Sequence, residues 1–334
     1  MKTLIQVTRS STVFSGEKED LNHLHNKFKK EYFLKLPRFL DPDILKLVQK
    51  RIQESGFYLA KYKMVDADAA DYRLKDKSIN SLLRFLMNDE KLFELIEKIT
   101  GCPKIGSFNG AVFCLSPGRG HYDSWHNDNV DNRMIAVSVN LSTDIFSGGI
   151  TQIQNSKTKE FLNEVANIDF GDAIVFPLSK DLEHRVTDVE GNVDRIAFPG
   201  WFRSKPAYRS MLKKVPKPQG KIISSKSKIS VDSIFIANKE NFSRIFGEEL
   251  LIFDPKNTLC YGLSPLTRKI LGLLHVPMSL AEIKEAILDE YDVSPAQCKN
   301  VVLDLLQRLR DTSLISLHEG SHRKIQQPSY AVKI

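Results

Sequence analysis

The stretch Gly120-His121-Tyr122-Asp123-Ser124-Trp125-His126-Asn127-Asp128 carries the reading of this chain. In an extended segment residues i and i+2 project to the same face, so His126 and Asp128 set an imidazole and a carboxylate side by side, within reach of one ion. A third donor has to come from elsewhere. His184 stands on a later strand-like run, after the turn Gly171-Asp172 and the apolar block 173–176. Two imidazoles and one carboxylate on one face of an ion leave its other positions open to exchangeable ligands. A bare His-x-Asp pair arises often by chance, and His121-Tyr122-Asp123 is a second one. His23 and His25 in the charged N-terminal stretch read as surface or capping residues, as do His275, His318 and His322 beside helices or in the tail. Trp125 reads as core or pocket wall.

Working outward, residues 107–115, 134–142, 150–154, 172–177, 184–189 and 193–202 are short β-type runs. The Gly-containing turns PGRG, SGGI, DFGD and VEGN separate them, the texture of an antiparallel sandwich. Upstream, Asp41-Pro42 starts a helix with Ile44, Leu45, Val48 and Ile52 on one face. A second helical region covers 78–100, with Asn88-Asp89 as an internal cap and Gly101 as its stop. Downstream, strands are expected near 232–237, 242–246, 249–253 and 258–262, the last two joined at Asp254-Pro255-Lys256-Asn257. Helices follow over 264–274, 279–291 and 294–312, with capping-box spacing at Ser279 and Glu282.

The chain has 334 residues, 42% hydrophobic and 27% charged, which excludes wholesale disorder and suits two domains. No apolar run is long enough to cross a membrane, and the block Leu4, Ile5, Val7 is too short for a signal peptide. The four cysteines show neither metal-ribbon nor disulfide-scaffold spacing, so a cytoplasmic location is the expectation. The net charge of +7 is local. Residues 203–230 hold nine basic and no acidic residues, whereas 231–320 hold nine basic against thirteen acidic, so the excess is not the footprint of a nucleic-acid-binding face. Residues 211–230, with two Pro, one Gly, four Ser and six Lys, have linker chemistry. The expected division is 1–210, a basic linker 211–230, a second domain 231–320 and a tail 321–334.

The first of these resembles the prolyl 4-hydroxylase-like family of 2-oxoglutarate/Fe(II) dioxygenases. The resemblance runs through Gly120, six residues before His126, then Asp128, Arg133 and the strand 135–141. It continues through Gly148-Gly149-Ile150-Thr151, Gly171-Asp172, His184, Val186, Val189, Gly191, Arg195 and Trp201. It covers the motif core 105–203, and residues 37–48 look like the family's entry strand and helix. It implies an α+β fold, a double-stranded β-helix (jelly roll) with supporting helices. It also implies iron held by His126, Asp128 and His184, and 2-oxoglutarate and O2 as co-substrates; ascorbate is a reductant such enzymes admit. Arg195 would hold the distal carboxylate of 2-oxoglutarate, for which a fixed guanidinium is chemically suited. Asn140 stands where many relatives place a tyrosine that assists the same carboxylate. The spacing from Gly120 selects His126 over His121 and leaves His121 and Asp123 as loop residues.

Residues 248–315 resemble the PqqD-like family, the RiPP recognition element. The matching residues are Tyr261-Gly262-Leu263-Ser264-Pro265, Ile270, Leu273-Leu274, Ser279, Glu282-Ile283, Tyr291-Asp292-Val293 and the closing Leu305, Leu306, Leu309, Leu314 and Ile315. The family's tryptophan in the first helix and the Asp-Gly after it are replaced here by Ile270 or Leu271 and by His275-Val276-Pro277. This resemblance implies a small winged-helix-like α+β domain that takes a precursor leader peptide on edge strand 258–263 beside helix 294–311. Together the two imply hydroxylation of a side chain in a docked ribosomal precursor peptide. The alternatives are a dioxygenase of a free amino acid or a folded protein, with the second domain structural or oligomeric; base demethylation, which the acidic second domain disfavours; and a catalytically inactive binder, which would lack a ligand or the arginine. The sequence names neither the modified residue nor the oligomeric state, and does not separate hydroxylation from desaturation or cyclisation.

Overall fold

The computed structural model describes residues 3–63, 68–118, 125–166, 169–205, 229, 233–239, 241–246, 249–254, 259–291 and 293–318. The linker 211–230 apart from residue 229, the tail 321–334, and Gly120, His121 and Asp123 lie outside them. The chain divides into two compact units, Met1–Lys217 with Phe242–Gly262, and Pro218–Asn241 with Leu263–Ile334.

The first unit begins with the hairpin β1 (Ile5–Val7) and β2 (Thr12–Phe14), followed by α1 (Lys18–Glu31), β3 (Leu34–Leu36) and α2 (Pro42–Ser55). Asp41 accepts the Asp43 N–H at 2.9 Å and Pro42 opens α2, whose Ile44, Leu45, Val48 and Ile52 are buried. A hairpin of β4 (Phe57–Lys63) and β5 (Asp68–Leu74) precedes α3 (Lys77–Met87) and α4 (Glu90–Thr100). The break expected at Asn88-Asp89 is present: Asp89 caps α4 by accepting the N–H groups of Lys91 and Leu92. Gly101 ends it at φ 70°.

Ten strands then build the body: β6 (Ser107–Gly110), β7 (Phe113–Leu115), β8 (Arg133–Asn140), β9 (Ser147–Gly148), β10 (Thr151–Asn155), β11 (Phe161–Val165), β12 (Ala173–Pro177), β13 (Leu182–Val186), β14 (Val189–Glu190) and β15 (Arg195–Arg203). The large sheet runs β3-β12-β8-β15-β7-β5-β4, with β6 also on β15; β11-β10-β13 and β14-β9 form smaller sheets. All these strand pairs are antiparallel. Alternation sorts the side chains of β8. Ile135, Val137 and Val139 join the core shared with α2, α3 and α4, while Ala136 packs with Ile153, Phe176 and Trp201 on the opposite face. Burying each large apolar side chain contributes about 1.5–3 kcal/mol, and β8 is buried on both faces from Ile135 to Asn140. This helix-backed antiparallel architecture fits a jelly-roll oxygenase.

After the basic stretch come β16 (Ile234–Ala237), β17 (Phe242–Phe246), β18 (Glu249–Asp254) and β19 (Leu259–Leu263). The sheet β17-β18-β19 is counted with the first unit, and Phe242, Leu251 and Phe253 lie in its main core. In the second unit α5 (Pro265–Leu273), β20 (Met278–Ser279), α6 (Leu280–Leu288), α7 (Pro295–Asp311) and β21 (Ile315–Leu317) follow, and its sheet is β20-β16-β21. Phe235, Ile270, Ile283, Val302 and Leu306 are fully buried there. Ser279 and Glu282 form the expected capping box. His25 and His275 contact the carbonyls of Ile99 and Gly272 near helix ends, the capping role expected of them. Among the described residues no helix is long and apolar enough to cross a membrane.

Candidate metal centre

His126 and Asp128 lie on the short segment between β7 and β8, and that segment is tied to β13 as an extra piece of strand. His126 N–H donates to the His184 carbonyl at 3.0 Å and His184 N–H returns to the His126 carbonyl at 2.9 Å. Asn127 adds two bonds from its amide, to the carbonyls of Ser179 and Leu182. The intervening residue thus points away and fastens the segment, while its neighbours turn inward. One donor atom each from His126, Asp128 and His184 lie within 4.8 Å of one another, with His184 Nε2 at 3.9 Å from Asp128 Oδ2. The imidazoles sit 4.3 Å apart between centroids, and Phe176 covers His184 at 4.9 Å.

Burial, followed by the neighbouring His126, pushes the His184 imidazole down to about 4, against the opposing pull of Asp128. At neutral pH it is an uncharged nitrogen donor, the form a metal needs.

Both oxygens of Asp128 are held. Arg133 Nη1 donates to Oδ1 at 3.0 Å and Trp201 Nε1 donates to Oδ2 at 2.8 Å, while the Arg133 guanidinium stacks 3.9 Å over the Trp201 ring. Arg133 and Trp201 are pattern residues of the sequence, but their work on the carboxylate is visible only in three dimensions, because it joins β8 to β15. Losing such an orienting partner typically weakens a metal site about 10- to 100-fold. Trp201→Phe, which keeps the ring and removes the N–H, is expected to lower Mn(II) affinity by that factor in a paramagnetic titration. The other tryptophan, Trp125, stacks under Arg185 at 4.8 Å, and Arg185 is held in turn by Gln152. It is a brace beside His126 rather than core.

Arg195 begins β15, opposite Leu115 of β7, and alternation puts it on the same face as Ala197 and Trp201. It is 5% exposed, and burial pushes its guanidinium down to about 10, still a cation at neutral pH. Its Nε has no hydrogen-bond partner among the described residues. A buried cation with an orphaned donor suits an anion, and the described residues provide none for it. Asn140, paired with Ala197, lies on the same face of the sheet as Arg195. Its Oδ1 accepts the Ser142 N–H at 3.0 Å, so the side chain also holds the turn after β8.

The Gly148-Gly149 pair has a steric reason. Both are left-handed, at φ 72° and 62°. A Cβ on Gly148 would meet the Asp188 carbonyl oxygen at 1.9 Å, and one on Gly149 would meet Arg195 Cδ at 2.5 Å. Gly149 therefore lets the loop lie against the stem of Arg195. Gly149→Ala, with about 1–2 kcal/mol of backbone strain added to that clash, is expected to lower both the melting temperature and 2-oxoglutarate affinity, read by calorimetry with and without the acid.

Residues 111–203 match the family model of the 2OG-Fe(II) oxygenase superfamily. The chain thus carries a 2OG-Fe(II) oxygenase domain, and His126, Asp128 and His184 within that stretch form a donor set that could hold a metal ion. Residues 249–315 match a second model, Coenzyme PQQ synthesis protein D (PqqD), so the oxygenase core is followed in the same chain by a PqqD segment. No curated protein matches the chain. Among solved structures, it is similar to an oxidoreductase of the 2OG-Fe(II) oxygenase family from Burkholderia pseudomallei, at 14% identity over 60% of this chain and 95% of that one, with TM-score 0.42. A prolyl hydroxylase from Trichoplax adhaerens, solved with a hypoxia inducible factor peptide fragment, is 17% identical over 57% and 94%, with TM-score 0.42. TbiB1, solved with the TbiA(beta) leader peptide, is 22% identical over 26% of this chain and 99% of that one, with TM-score 0.23.

Proposed function

We propose that this protein hydroxylates a side chain of a peptide, a ribosomal natural-product precursor whose leader docks on the PqqD segment. The observation that carries it is one chain holding both parts: the converging His126, Asp128 and His184 with an anion-seeking Arg195, and the PqqD match over 249–315. His126, Asp128 and His184 would hold Fe(II), and Arg195, assisted by Asn140, would hold the far carboxylate of 2-oxoglutarate. When bound, iron and 2-oxoglutarate couple insertion of one oxygen atom of O2 into a C–H bond to release of succinate and carbon dioxide.

The chain's own part is placement. Arg133 and Trp201 hold Asp128, Phe176 packs against His184 on its apolar side, and Arg195 fixes the co-substrate by charge. Residues 1–210 are proposed as the catalytic part, 211–230 as a linker and 231–320 as the winged-helix-like peptide-binding part, of which 242–262 groups with the first compact unit. Edge strand 258–263 and helix 294–311 are each proposed to contact the peptide. Docking raises the effective concentration of the target residue, so the catalytic pocket need not bind it tightly.

The test incubates the iron-loaded protein, 2-oxoglutarate and O2 with peptides encoded by short reading frames adjoining its gene, with and without ascorbate. The expected result is a mass gain of one oxygen atom in one peptide, matched by succinate and lost in Asp128→Ala. Succinate formation stimulated by free amino acids, with no peptide modified, would overturn the reading.

A further inference from the structure

Strand β17 reads Phe242-Ser243-Arg244-Ile245-Phe246, and Arg244 is among the most buried large side chains of the molecule, at 1% exposure. Its Nε lies 3.1 Å from Asp89 Oδ2 and donates to the Leu86 carbonyl at 3.1 Å. Its Nη1 donates to the carbonyls of Arg9 at 3.1 Å and Ser243 at 2.7 Å, and Nη2 to that of Thr8 at 2.9 Å. One guanidinium therefore joins β17 to the β1–β2 hairpin and to the junction of α3 and α4. Apolar contacts repeat the connection: Phe253 of β18 stacks on Phe85 of α3 at 5.4 Å, and Arg9 lies 4.6 Å over Phe242. The Ser243 N–H also donates to the Arg9 carbonyl at 2.9 Å.

The junction that Arg244 grips is itself fastened to the site. Asn88, beside Asp89, clamps β6 through both directions of hydrogen bonding with the Phe108 backbone, at 2.9 and 3.0 Å. Strand β6 pairs with β15, where Asn109 stands opposite Trp201, and Trp201 holds Asp128. A continuous set of hydrogen bonds, chain neighbours and strand pairings thus runs from β17 to the carboxylate of the candidate metal centre, all within the first unit.

We infer that the sheet β17-β18-β19 is a fixed docking platform of the oxygenase, locked by Arg244, and not part of a module hanging on the basic linker. This rests on the peptide-hydroxylase reading and deepens it. A peptide seated on that sheet is presented to the metal centre at a set span, so the span, and not only the side chain's identity, selects the residue that reacts. A rigid seat also avoids the loss of effective concentration that a long flexible tether brings.

The test uses the full chain with Mn(II) at the metal centre and a nitroxide on Ile245→Cys, a position 50% exposed on β17, in a background of Cys102→Ser and Cys260→Ala. Pulsed dipolar spectroscopy is expected to give one narrow Mn(II)–nitroxide distance. Arg244→Lys keeps a charge for Asp89 but not the five-donor fork that spans the carbonyls, and should widen the distribution at least about twofold with Mn(II) affinity unchanged. A broad distribution in the parent, or an Arg244→Lys trace superimposable on it, overturns the platform and leaves the hydroxylase reading standing. Labelled protein that binds no Mn(II) refutes the metal centre, and the platform with it.

Discussion

Arg195→Ala is expected to weaken 2-oxoglutarate binding by about thirtyfold to several hundredfold while Mn(II) affinity stays the same. The range follows from removing one partner of a desolvated charge pair, worth about 2–4 kcal/mol at roughly 1.4 kcal/mol per decade. The measurement is an anaerobic titration of the visible charge-transfer absorption of the Fe(II) protein with 2-oxoglutarate. A second effect has the opposite sign. Arg195 is buried and its Nε is without a partner among the described residues, so the apoprotein is expected to carry the desolvation cost of a cation that a bound anion would offset. Arg195→Met should therefore melt higher than the parent when both are free of ligand, and lose that advantage when 2-oxoglutarate is added to the parent. Equal melting temperatures of the two apoproteins would argue that Arg195 already has a countercharge in the resting protein.

Arg244→Leu is expected to cost about 3–5 kcal/mol, because it leaves Asp89 buried with no cation beside it. Against a total stability of about 5–15 kcal/mol that is a third or more. The carbonyls of Leu86, Arg9 and Thr8 lose donors as well. Urea unfolding measures the loss. Combining it with Asp89→Asn, which keeps part of the cap of α4 but removes the charge, should cost less than the two changes added separately. Strict additivity would mean that the pair is not coupled.

The pair His126 and Asp128 and many of the strands and helices around it were legible because each is a local pattern: a period of two at the pair, caps at Asp41 and Asp89, and turns marked by glycine; His184 entered through its place in the family pattern. What was hidden depends on partners remote in sequence. Arg133 and Trp201 stand out in the family pattern, yet nothing local says that one carboxylate separates them. Arg244 is a case of a correct pattern with a misleading residue. Alternation in FSRIF puts it on the same face as Phe242, which is buried, but an arginine there reads as solvent-facing until Asp89 is brought against it. The β4–β5 hairpin escaped for a different reason. Its second strand, DAADYRL, has Ala or Asp, both poor strand formers, at its first four positions, and is held by pairing with β4 and β7 rather than by its own propensity. The grouping of 242–262 with the first unit has the same origin, since a core can recruit a segment from beyond a linker without any change in that segment's own pattern.

The chain has two tryptophans, and both adjoin the metal centre: Trp125 beside His126 and Trp201 on Asp128. Its ultraviolet-excited indole emission therefore arises wholly within that neighbourhood. The native protein is expected to serve as its own optical gauge of metal occupancy, readable without a dye, so that an Fe(II) titration can be followed in the same cuvette in which turnover is later started.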